Sequence, residues 1–138
     1  MTIMVNNWIH RDEWVLQGNN FNVSISRQTT DIEEPFSHCG QQRWYVYAHI
    51  SYKHSFYDKF TSDALWQDAT AMLPLHSGCS YLARVSYNGG RDVIKVGADY
   101  NHLYDARFTH YDTVEDAAEV FRDAEELFNF LKDYTEQV

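Results

Sequence analysis

The sequence predicts an α+β fold, an antiparallel β-sheet packed by a long C-terminal amphipathic helix with one short helix beside it. Three observations carry this. Phe21, Val23 and Ile25 alternate with Asn22, Ser24 and Ser26, the period of two that marks a strand with one wet face. Asn88-Gly89-Gly90 supplies the positive φ angles of a hairpin turn between residues 81–87 and 92–98. Val114, Ala117, Phe121, Ala124, Phe128, Leu131 and Tyr134 recur in steps of three and four, which draws one stripe along a helix.

In chain order, residues 1–7 are expected to fray and residues 1–10 to form a flexible start to a single domain, 1–138. Trp14-Val15-Leu16 is a short strand, separated from the one at Phe21 by the turn chemistry of Gln17-Gly18-Asn19-Asn20. From Gln28 to Gln42 the chain is polar and contains Pro35, which predicts a loop long enough to be functional. The strongest strand is Trp44-Tyr45-Val46-Tyr47-Ala48-His49-Ile50-Ser51-Tyr52. Its Trp44, Val46, Ala48 and Ile50 face the core, and Tyr45, Tyr47, His49 and Ser51 line the opposite face. A short helix is expected over about residues 63–72, capped by Thr61 or Ser62 and stopped before Pro74. The final helix is expected to start near Asp112, where Asp112-Thr113-Val114-Glu115 fits a capping box.

Composition narrows the function classes. The chain has 138 residues and is 44% hydrophobic, enough to bury a core without disulfides or a metal staple. The formal net charge of −9 repels phosphate backbones and anionic membranes, and suits a basic protein partner instead. Two cysteines, Cys39 and Cys79, do not make a disulfide framework. No apolar run approaches the roughly 20 residues of a membrane span, and residues 1–14 hold no secretory apolar segment. A reducing cytoplasm is the expected setting.

The charge is concentrated. From Asp112 onward nine acidic and two basic residues account for seven of the nine net negative charges. Asp116, Glu119, Asp123, Glu126 and Asp133 share a heptad-like spacing off the apolar stripe, so successive turns would set carboxylates roughly 10 Å apart along the axis. Such a row can answer a Lys/Arg-rich groove much as a nucleic-acid backbone does. It also fits a plain solvated face. Yet few bases relieve the like-charge repulsion, which costs a helix a little stability.

There are seven histidines: His10, His38, His49, His54, His76, His102 and His110. His76 and Cys79 have a tight spacing suited to a metal, but no second pair matches it, so no metal or other cofactor is expected. A Cys–His nucleophile pair, Cys79 with His49 or His102, is equally open and equally unspecific. Asp99, His102 and Asp105 follow the hairpin and could line a polar pocket near His76, or make turn hydrogen bonds. No phosphate-binding glycine loop, nucleophile elbow or dinucleotide fingerprint occurs.

Trp44-Tyr45-Val46-Tyr47, His54-Ser55-Phe56-Tyr57-Asp58-Lys59, Leu75-His76-Ser77-Gly78-Cys79-Ser80-Tyr81 and Val96-Gly97-Ala98-Asp99-Tyr100-Asn101-His102 follow one another before the terminal helix. This order resembles a family of small bacteriophage and mobile-element proteins, over residues 43–131. In that pattern Ser77 replaces a usual glycine and Cys79 a usual aliphatic residue, which weakens a metal or nucleophile role for Cys79. The resemblance implies a mobile-element setting and no particular activity. Small acidic proteins of that setting are often inhibitors of host defence, including anti-CRISPR proteins that imitate DNA.

The leading expectation is therefore a non-catalytic inhibitory binding protein. Its acidic helix would occupy the basic nucleic-acid channel of a host nuclease or CRISPR effector. Asp116, Glu119, Asp123, Glu126 and Asp133 would supply attraction, and Tyr45, Tyr47, Trp66 and Tyr104 contact area. A small metal-binding or hydrolytic enzyme around His76, Asp99, His102 and Cys79 is a second reading. A homodimer formed through the tyrosine-rich sheet face is a third.

Overall fold

The computed structural model describes residues 10–29, 40–87, 91–102 and 104–136. Five strands form one antiparallel sheet: β1 (His10–Gln17), β2 (Phe21–Thr29), β3 (Gln42–Ser51), β4 (Tyr81–Tyr87) and β5 (Arg91–Asp99). Their order is β1-β2-β3-β5-β4, so β1 and β4 are the edges. The long connection from β3 to β4 carries a 3-10 turn at Tyr57–Lys59 and helix α1 (Asp68–Met72). A second 3-10 turn, Ala106–His110, follows β5, and helix α2 (Ala118–Glu136) closes the fold over β2 and β3. The α+β architecture read from the sequence is the one found. No helix among the described residues is long and apolar enough to cross a membrane.

Strand β3 alternates as its sequence requires. Trp44, Val46, Ala48 and Ile50 are buried, and Tyr45, Tyr47, His49 and Ser51 are half-buried on the opposite face. On β2 the inner Phe21, Val23 and Ile25 are buried, but the expected wet face is wet only at Asn22. Ser24 and Ser26 are buried too, short side chains beside the much larger Tyr47 and Tyr45 in the register. All three opening strands run further than alternation alone marks. Thr29 pairs with Gln42 and donates its hydroxyl to the Gln42 side-chain oxygen at 2.8 Å, which shortens the expected loop at both ends. The rest of that loop, with Pro35, His38 and Cys39, lies outside the described residues, as do residues 1–9 and the Asn88-Gly89-Gly90 turn. The pairing of Tyr87 with Arg91 shows the hairpin.

Both helices differ from their expected limits. The short one begins at Asp68 rather than near 63, with Gln67 and not Thr61 or Ser62 before its first turn. The preceding residues are held in a turn by side chains. Ser62 Oγ accepts the Ala64 N–H at 3.2 Å, and Gln67 Oε1 accepts the Thr61 N–H at 3.0 Å. Such local bonds compete with a helical ladder. The long helix begins at Ala118, not at Asp112. Thr113 holds the turn that leads into it, accepting the Asp116 N–H on Oγ1 at 3.1 Å and the Ala117 N–H on its carbonyl at 3.1 Å. Asp112 is drawn back to the sheet instead. Its carboxylate accepts from Gln42 Nε2 at 3.1 Å and its carbonyl from the Arg27 guanidinium.

The buried stripe of α2 is Val120, Ala124, Leu127 and Leu131, continued backward by Ala117. The aromatic residues Phe121, Phe128 and Tyr134, expected at its centre, are half-buried on its flank. They pack edge-on or tilted against Trp14, Phe21 and Phe56. Val114 is exposed. Above the same wall, Trp14 stacks on Trp44 with centroids 5.9 Å apart, and the Arg27 guanidinium lies 5.6 Å from the Trp14 ring.

His54 ties the β3–β4 connection to α2. Its Nδ1 accepts the Phe56 N–H at 3.0 Å, so the proton sits on Nε2, which donates to the Leu131 carbonyl at 3.0 Å. Burial lowers its pKa, against the opposing effect of the Leu131 carbonyl. The folded state therefore binds fewer protons than the unfolded one. This contribution is complete above the unfolded value of about 6.5 and is lost as pH falls below it. Urea denaturation at pH 7, 6 and 5 is expected to show falling stability. In His54→Gln that slope is expected to flatten, leaving the part due to His49, whose pKa burial and Lys95 also lower.

Candidate functional site

The acidic row of α2 divides into two kinds of carboxylate. Glu119 and Asp123 turn toward the fold. Glu119 accepts from Arg107 Nε at 3.1 Å and Nη2 at 3.2 Å, and from the Tyr111 hydroxyl at 3.0 Å. The Arg107 bonds hold its carboxyl below the usual range. Asp123 accepts the hydroxyl of the buried Tyr100 at 2.7 Å. Burial, followed by that carboxylate, pushes the Tyr100 phenol far above its ordinary value. Glu126 and Asp133 stand exposed on α2, as does Glu125 beside them, while Asp116, expected on the helix, is exposed with Glu115 in the turn before it, because α2 starts only at Ala118. Among the described residues none of these five takes part in an ion pair. The solvated ladder is therefore three of the five expected rungs.

Of the four aromatic residues expected to assist, two lie away from it across the sheet. Tyr45 and Tyr47 lie on the sheet face opposite α2, stacked with centroids 6.0 Å apart. Lys95 Nζ sits 4.5 Å from the Tyr47 ring and 5.3 Å from that of Tyr81. Burial, Tyr45 and Asp99 push the Tyr47 phenol up to about 12. The Tyr47 ring also covers Gly97, where a Cβ would come within 2.6 Å of Tyr47 Cδ1 and 2.1 Å of the Val46 carbonyl oxygen. Trp66 is 89% exposed and borders a groove of about 380 Å³ with Leu65, Ala71 and Gly78. Tyr104 is 87% exposed and precedes Asp105 with φ +80°.

The region after the hairpin converges on one buried carboxylate. Asp105 accepts the His102 backbone N–H at 2.9 Å, and its oxygens lie 2.9 and 3.0 Å from His76 Nε2 and 3.2 Å from His102 Nδ1. Burial alone would raise its pKa, but the His102 N–H and the His76 ring outweigh that and hold it below the usual carboxylate range. The His76 ring lies flat on Tyr100, centroids 4.2 Å apart, with the edge of Phe108 at 5.2 Å. Asp99 reaches to 3.5 Å from His102 Nδ1 but stays outside the group of His76, His102 and Asp105, whose donor atoms lie within 4.8 Å of one another. Cys79 also stays outside it, donating its thiol to the Tyr81 carbonyl at 3.2 Å, and burial raises its pKa. Of the weak metal set read from the sequence, His76 and His102 meet and Cys79 does not. Asp105, the hub, carries no local motif beyond lying three residues after His102.

Comparison of the chain with protein-family models, with curated proteins and with solved structures finds no match.

Tyr100 joins the two regions, since its hydroxyl holds Asp123 and its ring carries His76. Tyr100→Phe removes a hydrogen bond to a charged group and is expected to cost about 1.5–3 kcal/mol in urea denaturation.

Proposed function

We propose that this chain is a non-catalytic binding protein that docks the outer face of α2 on a positively charged surface of a partner protein. The carrying observation is that Asp116, in the turn before α2, and Glu126 and Asp133 on α2 are exposed and take part in no ion pair among the described residues, in the stretch from Asp112 onward that holds seven of the nine net negative charges. The helix beneath them is anchored by a buried aliphatic stripe, so the carboxylates are presented from a firm base. Opposite charge speeds encounter and makes association sensitive to salt.

The partner class rests on the resemblance of residues 43–131 to phage and mobile-element proteins. In that setting the basic surface is the nucleic-acid groove of a host nuclease or CRISPR effector, and the chain acts as an anti-defence inhibitor in the bacterial cytoplasm. It competes with nucleic acid and does not bind it. Glu119 and Asp123 serve the fold in this reading, so the attraction falls to the outward carboxylates.

The test uses a partner captured from bacterial lysate on the wild-type chain, and compares the chain with an Asp116→Asn, Glu126→Gln, Asp133→Asn variant. Exposed charge pairs are each worth about 0.2–1 kcal/mol, so losing three is expected to weaken binding about tenfold and flatten its salt dependence. Equal affinity with an unchanged salt response would overturn the reading.

A further inference from the structure

We propose that His76, His102 and Asp105 form a binding site for a divalent transition cation of zinc's class. The proposal stands independently of the docking reading, because it concerns other residues.

The donor set is two imidazole nitrogens and one carboxylate, the chemistry that zinc and its neighbours in the first transition row prefer. Donors about 2.0–2.1 Å from a tetrahedral zinc stand roughly 3.3 Å apart. Here the Asp105 oxygens are 2.9 Å from His76 Nε2 and 3.2 Å from His102 Nδ1, and all three donors fall within 4.8 Å of one another. The two Asp105 pairs are within a few tenths of an ångström of that spacing, and the two imidazole nitrogens, within 4.8 Å of one another, close on the cation by side-chain rotation.

The site is graded from inside to outside. The Asp105 side chain is 7% exposed, that of His76 18% and that of His102 33%. A cation would rest on a buried anion and stay open on the His102 side, where Asp99 adds a second negative charge. Three protein donors leave at least one position for water or a small ligand, as in catalytic rather than structural zinc sites. The shell behind the donors is also built. Tyr100 and Phe108 fix the His76 ring, and the His102 N–H orients the carboxylate.

Hydrogen bonds alone would also draw two imidazoles to a carboxylate. They do not call for the backbone found here. Ser77, directly after His76, has φ +56°, and Tyr104, directly before Asp105, has φ +80°. A bulky residue in the left-handed region is an outlier, and such strain collects where side chains must converge.

The experiment titrates the wild-type chain with Co²⁺, reads visible d–d absorption, and then displaces the cobalt with Zn²⁺. The expected result is one site per chain, visible bands that Zn²⁺ abolishes, and a melting temperature that rises with Zn²⁺. His102→Asn, at the most exposed donor, is expected to keep the fold and weaken Zn²⁺ binding at least about tenfold, since even an outer-shell change costs that much. Absence of bands and of stabilisation in the wild type overturns the proposal without any variant. So does Zn²⁺ binding that survives in His102→Asn, or that disappears only when Asp116, Glu126 and Asp133 are neutralised.

Discussion

Burial of one narrow aliphatic stripe fixes the position of everything else in this molecule. Ala117, Val120, Ala124, Leu127 and Leu131 lose all contact with water on the inner face of β2 and β3. Each larger member contributes about 1.5–3 kcal/mol by that burial. With the helix axis set by this contact, its flanks become useful. Phe121 reaches Trp14 and Trp44, Phe128 reaches Phe21, and Tyr134 reaches Phe56. Polar ties then secure both ends, with Asp112 bound to Gln42 and Arg27 at the start and the Leu131 carbonyl bound to His54 near the finish.

The same contact sorts the carboxylates. A helix turns by about 100° per residue, so a seven-residue spacing drifts around the cylinder instead of running straight along it. That drift is only about 20° per seven residues, so acids on nearly one face differ through their neighbours rather than their phase. Glu119 and Asp123 come within reach of Arg107, Tyr111 and Tyr100, while Glu126 and Asp133 meet solvent. The row is divided between carboxylates turned to the fold and carboxylates turned to solvent, and the division follows from where Tyr100, Arg107 and Tyr111 lie.

The fold was legible where side-chain period and partner agree. Strand β3 could be read residue by residue because Trp44, Val46, Ala48 and Ile50 alternate with polar neighbours and no other element disturbs them. The start of α2 could not. Asp112 is a good cap in isolation, but Gln42 and Arg27, about 70 and 85 positions away, compete for it. The helix stripe is legible at Ala117, Ala124 and Leu131, whereas Val120 and Leu127 rather than the adjacent Phe121 and Phe128 fill its other places, since rings that large sit at the edge of the interface. Of the candidate site, His76 and His102 were visible as unusual residues near turns. Asp105 was legible too, as a possible member of a polar pocket near His76, but not as its hub, because that depends on the chain after β5 folding back toward the turn that precedes β4.

Tyr100 is a single rigid plate with a different neighbour at each end. Its hydroxyl is moored to Asp123 on the helix, and its face is the bed of the His76 imidazole. A load on the outer side of the helix that rocked Asp123 would tilt the bed, and a tug on the imidazole would travel back along the same ring. Thermodynamic reciprocity makes the two influences equal, so whatever occupies one side of this ring would set terms for whatever approaches the other.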